Sequence, residues 1–203
     1  MELPLASRPG DDADESPPGH LRVRTVWISD LHLGTPGCQA GALLAFLKHV
    51  ECETLYLVGD IIDGWQLRRA WYWPQVHNDV VQKLLRKARK GTRVIFVPGN
   101  HDEFARKYVQ HNFGGIEVVD EWIHETADGR RLWVIHGDLF DGVIQCAKWL
   151  GDWVESLTAL IEHADGRLEI FDWSQRAAQR SVEARPAAQG HAPARPAAPV
   201  PAV

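Results

Sequence analysis

The apolar positions of this chain gather into short runs that alternate with helical patterns. "VRTVWIS" (23–29), "TLYLVG" (54–59) and "RVIFVPG" (93–99) are largely unbroken apolar runs, as expected of strands buried on both faces. Between and after them, "QAGALLAFLKHV" (39–50) and "PQVHNDVVQKLLRKAR" (74–89) carry the spacing of helices, and "EFARKYVQ" (103–110) predicts a short one. The second half changes character. "EWIHE", "RLWVIHG", "ESLTALIEH" and "RLEIFDW" read as strands, and the tetrapeptide "ADGR" joins them twice, at 127–130 and 164–167. An Asp-Gly turn between apolar runs predicts a hairpin. The expected fold is α/β (α+β): a mixed two-sheet αββα sandwich with helices outside.

The totals narrow the class. With 203 residues, 45% hydrophobic and 24% charged, the chain suits one globular domain with a real core. A net charge of −5 gives no general affinity for nucleic acid, so none is expected as a partner. Cys38, Cys52 and Cys146 are scattered without a Cys-x-x-Cys pair, which favours a reducing compartment and excludes a thiolate zinc ribbon. No apolar run approaches the roughly 20 residues that cross a bilayer, and the N-terminus does not read as a secretory signal. A cytoplasmic enzyme, peripheral to a membrane at most, is the class these totals predict. Residues 1–20, rich in Pro, Gly and Asp, and the Ala/Pro/Arg tail from about 174 to 203 are expected to be disordered. The folded part is expected to run from about Leu21 to Trp173.

Four stretches at the ends of expected strands carry chemistry: "SDLHLG", "GDIIDGW", "GNHDE" and "IHGD". Strand ends facing loops are where α/β proteins place their sites. Together these stretches supply Asp30, His32, Asp60, Asn100, His101 and His136. Carboxylate, amide and imidazole donors in one set suit a divalent first-row metal such as manganese, iron or zinc. Gly34, Gly59, Gly99 and Gly137 allow the sharp turns that let these side chains converge. Taken singly, an Asp at a strand end is a cap and a lone His is structural; the ordered set of four changes that weight.

Asp-x-His, then Gly-Asp-x-x-Asp, Gly-Asn-His-Asp and a later His-Gly-Asp resemble the calcineurin-like metallophosphoesterases over residues 25 to 173. "WISDLHLG", "LVGDIIDGW", "PGNHD", "IHGDLFDG" and "GDWVES" are most similar to the UDP-2,3-diacylglucosamine diphosphatase group of lipid A synthesis. That resemblance implies cleavage of a pyrophosphate to UMP and 2,3-diacylglucosamine 1-phosphate, with two divalent ions, most plausibly manganese. It implies that Asp30 and His32 hold the first metal, Asp60 bridges both, and Asn100 and His136 hold the second. His101, held by Asp102, is then the catalytic group that stabilises charge or protonates the leaving oxygen. Contact with a lipid-linked UDP-sugar, and peripherally with the inner membrane, follows from the same resemblance.

The chain departs from that group in one place. The group carries a Gly-His-x-His motif after a helical insert, delivering one imidazole to each metal. Here only fourteen residues separate His136 from Gly151, and both insert and motif are missing, with "AKWL" joined to the "GDWVES" expected to begin a strand. His191 sits in the tail without a second His, and His163, His49, His77, His111 and His124 belong to no motif. Each metal is therefore expected to lack an imidazole and to be held weakly. Two rivals stay open: a phosphodiesterase of this fold with another substrate, and a non-catalytic remnant. Two surface features stay open as well. "WQLRRAWYWPQ" reads equally as a membrane or lipid contact and as a helix burying its tryptophans. "QKLLRKARKGTR" reads as a solvated helix face with cations near its C-terminus, with membrane adhesion the lesser alternative.

Overall fold

The structure, a computed structural model, describes residues 20–139 and 153–177. The terminal segments expected to be disordered, His191, Cys146 and the Leu150–Gly151 join lie outside these residues, except that 173–177 form a helical turn whose Ala177 packs on the core.

The three apolar runs form parallel strands β1 (Leu21–Ser29), β2 (Val50–Val58) and β3 (Arg93–Val97). Two short strands follow on one edge, β4 (Asn112–Phe113) and β5 (Ile116–Val118). Helices α1 (Ala40–His49) and α3 (Gln75–Arg89) connect the parallel strands, and a six-residue helix, α2 (Gly64–Arg69), precedes α3. The two "ADGR" turns close antiparallel hairpins as expected: β6 (Trp122–Glu125) with β7 (Arg131–Val134), and β8 (Thr158–Glu162) with β9 (Leu168–Asp172). The large sheet has the order β4-β5-β3-β2-β1-β8-β9, and β6-β7 is a separate two-stranded sheet.

Period-two alternation divides the core. Val26, Ile28, Leu55, Leu57 and Val94 face Leu43, Phe46 and Leu47 of α1 and Val80 and Leu84 of α3. Their neighbours Trp27, Tyr56, Ile95 and Val97 face the opposite way and meet Val134 of the small sheet. Both faces are covered over Val26–Ile28, Leu55–Leu57 and Val94–Val97, so these stretches have no polar side. One expectation is corrected. "GDWVES" does not begin a strand: Trp153–Ser156 form a helical turn, α4, with Trp153 buried against Phe46 at 5.0 Å between ring centroids. Leu157 then turns through a positive φ of 52° before β8 starts. At the basic end of α3, Arg86, Arg89 and Lys90 are exposed, while Lys87 is buried and its Nζ donates to the Val50 carbonyl at 2.5 Å.

A buried polar knot pins the small sheet to the large one. Glu162 on β8 is 0% exposed and accepts from Thr25 Oγ1 (2.7 Å), Arg24 Nη1 (2.7 Å) and the Ala127 N–H (2.7 Å). Its carboxylate also lies 2.9 Å from His124 Nε2, while His124 Nδ1 meets the Tyr56 hydroxyl at 3.1 Å. Burial alone would raise the Glu162 carboxyl, but the Thr25, Ala127, His124 and Arg24 donors outweigh it and hold the group below its ordinary value. Glu162→Gln removes the charge while keeping the shape, and is expected to cost about 1–3 kcal/mol in denaturant unfolding at neutral pH. The wild-type advantage should be full above pH 4.5, the ordinary value for this carboxyl. It should fade as pH falls through the lowered folded-state value, so the two unfolding curves converge in acid.

Candidate metal centre

All four chemistry-bearing stretches emerge at the carboxyl ends of strands. Asp30 and His32 follow β1, Asp60 and Asp63 follow β2, Asn100 and His101 follow β3, and His136 follows β7. The strand ladder does not stop where the strands do. Asp30 N–H donates to the Gly59 carbonyl, His32 N–H to Asp60 at 2.8 Å, and Leu33 N–H to Ile61 at 2.9 Å, so the two loops are zipped together. In that zipper Asp30, His32 and Asp60 are held at φ of 54°, 48° and 52°. Left-handed backbone costs a non-glycine residue on the order of 1 kcal/mol, and such strain collects at functional sites.

The side chains converge in two groups. Asp30, Asp60 and His136 form one, and His32, Asp63 and His101 the other, each with donor atoms within 4.8 Å of one another. Asp30 and His32, expected as a pair, thus fall into different groups. Asn100 is half-buried in the turn between Gly99 and His101. No Cβ fits at Gly59 or Gly99: it would lie 2.0 Å from the His136 ring at Gly59, and 2.4 Å from Asp60 Oδ1 at Gly99. These two glycines let the backbone close around Asp60 and His136 from both sides.

Asp63 carried no role of its own in the motif, yet it organises the second group. Its Oδ1 caps α2 by accepting the Gln66 N–H at 2.7 Å. Its Oδ2 lies 3.2 Å from His32 Nδ1 and 3.0 Å from His101 Nδ1, the latter off line for a good hydrogen bond. Burial works to raise the Asp63 carboxyl, but the Gln66 N–H and the two imidazoles outweigh it and hold the group below its ordinary value. The Gly-Asp-x-x-Asp spacing was the available signal, since it puts the second acid at the mouth of the first.

Asp102 does not hold His101. Its carboxylate is 0% exposed and accepts the Gly99 N–H (2.5 Å), the Ile61 N–H (2.7 Å) and, more distantly, the Ile62 N–H (3.4 Å). Burial pushes this carboxyl above its ordinary value, against the pull of those N–H groups. Asp102 is a brace between two loops, and His101 Nδ1 looks to Asp63 instead. The His101 ring also lies against Trp65, with centroids 4.2 Å apart. On the other flank, His136 Nδ1 meets Asp138 Oδ1 at 3.1 Å, and Arg106 Nη2 donates to Asp138 Oδ2 at 2.5 Å.

The donor set fits divalent metal. His136 Nε2 is 4.0 Å from Asp60 Oδ2, too far for a hydrogen bond and within the span that one ion with metal–ligand bonds of about 2.0–2.2 Å can bridge. Asp138 beside His136 Nδ1, and Asp63 beside His32 Nδ1, are carboxylates that would fix these imidazoles with their far nitrogens free for a cation. Cys38 and Cys52 offer no competing site: burial pushes both thiols up to about 11. His77 accepts the Gly34 N–H at 3.2 Å and His163 meets Glu169 at 2.8 Å, both structural as expected.

The model of the family described as calcineurin-like phosphoesterase matches residues 23–196. The chain belongs to that family. Divalent metal ions are implied by this membership, and the two donor groups are where this chain offers to hold them. Among curated proteins it is similar to UDP-2,3-diacylglucosamine hydrolase of Chromohalobacter salexigens, 31% identical over 124 residues covering 57% of this chain and 47% of that one. The protein of the same name from Azotobacter vinelandii is 32% identical over 122 residues, covering 57% and 48%, and that of Ralstonia nicotianae 34% identical over 119 residues, covering 55% and 42%. The chain spans about half the length of these curated relatives. The crystal structure of Pseudomonas putida nuclease MPE is 26% identical over half of each chain with a TM-score of 0.33, too slight a likeness to carry an argument. Family and named relatives support a hydrolase.

Two outcomes test this geometry. Dialysed wild-type protein should retain divalent metal by elemental analysis and Asp60→Ala should not, while Asp138→Ala should weaken metal binding about 10–100-fold. Asp102→Asn turns an amide towards backbone N–H groups and should cost about 2–3 kcal/mol of stability. His101→Ala should leave the unfolding midpoint nearly unchanged; equal losses from the two would return Asp102 to a role beside His101.

Proposed function

We propose that this chain is a metal-dependent hydrolase of UDP-2,3-diacylglucosamine, releasing UMP and 2,3-diacylglucosamine 1-phosphate. The observation that carries the reaction class is the pair of N/O donor groups at the strand ends, the first of them, with Asp60 and His136, closed in by Gly59 and Gly99. The substrate rests on the motif resemblance and on the names of the relatives. Asp30, His32, Asp60, Asn100 and His136 are the proposed ligands of two divalent ions, with manganese the proposed metal and Asp60 the shared carboxylate. When bound, such ions neutralise phosphoryl oxygens and lower the pKa of water.

In the net reaction one phosphorus–oxygen bond forms with water, the bridging bond of the pyrophosphate breaks, and one proton reaches the leaving phosphate oxygen. His101 supplies that proton or stabilises the charge from Nε2, while its Nδ1 faces the ionised Asp63. The Trp65 ring flanks that of His101 at 4.2 Å between centroids. Arg106 and Asp138 hold His136 with Nε2 towards Asp60. A lipid-linked substrate requires the chain to meet a membrane surface, which in the cytoplasm is the inner membrane.

A second reading is favoured by one observation, the missing Gly-His-x-His between His136 and Gly151. With one imidazole lost from each metal and no insert to cover acyl chains, turnover is expected to be low, and a non-catalytic remnant is the limiting case. Incubation with UDP-2,3-diacylglucosamine and manganese should give slow UMP release that Asp60→Ala abolishes. Inserting a block that ends in Gly-His-x-His between Leu150 and Gly151 should raise the rate by orders of magnitude. Equal rates with and without the block would show the motif dispensable. Cleavage of cyclic nucleotides or DNA without UMP release would move the assignment to another phosphodiester.

A further inference from the structure

Two of the three tryptophans that the sequence left open do not pack inside. Trp71 is 77% exposed, Trp65 43% and Tyr72 38%, all on or just after α2. Trp73 differs from them and explains them. Its Nε1 donates to Asn78 Oδ1 at 2.9 Å and its ring meets His77 edge-on at 5.4 Å, so the loop is fastened to α3. Trp71, with its ring 6.3 Å from that of Trp73, therefore projects from an anchored base. Phe104, 37% exposed and in the turn after β3, packs against the start of α2, where a Cβ on Gly64 would lie 3.1 Å from its ring. Arg68 and Arg69 stand exposed on the same helix. Arg68 lies 3.7 Å from Glu103, and among the described residues no acid lies within ion-pair distance of Arg69.

Large aromatic rings left in water beside guanidinium groups are costly on a free surface and suited to one that is apolar below and charged above. A bilayer interface offers both layers, and the arginines select an anionic one. The net charge of −5 excludes adhesion by overall charge, so the attraction has to be local to this edge. α2 has six residues, too few for an in-plane amphipathic anchor, which leaves insertion of ring tips as the mode.

We infer that the α2 edge, through Trp71, Tyr72, Arg68 and Arg69, docks on an anionic lipid bilayer and holds the mouth of the metal site at the membrane surface. The choice of partner rests on the lipid-linked substrate proposed above; the exposed rings and arginines do not. Trp65, its ring tilted against that of His101 at 4.2 Å between centroids, ties this edge to the site.

The full chain should co-sediment with vesicles of phosphatidylethanolamine and phosphatidylglycerol, and much less with phosphatidylcholine alone. Trp71→Ala with Tyr72→Ala should weaken binding at least about tenfold, and each of Arg68→Gln and Arg69→Gln about fivefold, the latter effect shrinking in high salt. Both sets should melt and bind manganese like wild type, so loss of docking is read separately from loss of the site or of the fold. No binding of wild type to either vesicle, equal binding to both, or undiminished binding after the aromatic pair is removed would each overturn the assignment.

Discussion

The site depends on one buried carboxylate. Asp102 lies in the turn after β3, yet its oxygens accept the backbone N–H groups of Gly99 in its own loop and of Ile61 and Ile62 in the loop after β2. Those bonds fix how far apart the two loops stand, and so where Asp60, Asp63 and His101 point. The first loop is fixed in turn, because Asp30, His32 and Leu33 donate to carbonyls of the second. Three proposed ligands are thereby kept in left-handed backbone that an unbraced loop would leave.

The fourth loop comes from elsewhere. His136 follows β7 of the small sheet, and that sheet is positioned on the large one by the knot around Glu162. A polar knot inside an otherwise apolar interface is stabilising only when every member is paired. Here Thr25, Arg24, His124 and the Ala127 N–H share the Glu162 carboxylate, and Tyr56 takes the far nitrogen of His124. Register between the sheets thus fixes the distance from His136 to Asp60. Gly59 and Gly99 complete the fit by leaving no side chain in the way.

Fold stability and the site draw on separate groups. The acids that carry stability, Glu162 and Asp102, have their oxygens filled by N–H, O–H and cationic donors within the protein. Asp60 spends one oxygen on the His101 N–H and leaves the other 4.0 Å from His136. Asp63 does both jobs, capping α2 with Oδ1 and facing two imidazoles with Oδ2. That double use joins the aromatic edge on α2 to the centre of the site.

The sequence by itself determined the elements whose signal is local. Runs without a polar side marked β1 to β3, helical spacing marked α1 and α3, and two Asp-Gly turns marked both hairpins, because periodicity and turn chemistry act within a few residues. It also placed Asp30, His32, Asp60, Asn100, His101 and His136 at strand ends, where the structure finds them. β4 and β5 are two and three residues long and gave no pattern. "GDWVES" was illegible as a helical turn because burial of Trp153 against Phe46, far away in the chain, decides it. Adjacency misled at His101 and Asp102: neighbours in sequence point apart, and the partner of His101 is Asp63, brought from the loop after β2 by parallel pairing of β2 and β3. Only the tertiary structure decided whether Trp71 and Tyr72 were inside or out, since a short helix before a proline leaves no periodicity from which to read a face. Chemistry is written in residue types, but which atoms meet is set by strand order and register, and those are properties of the packed sheet.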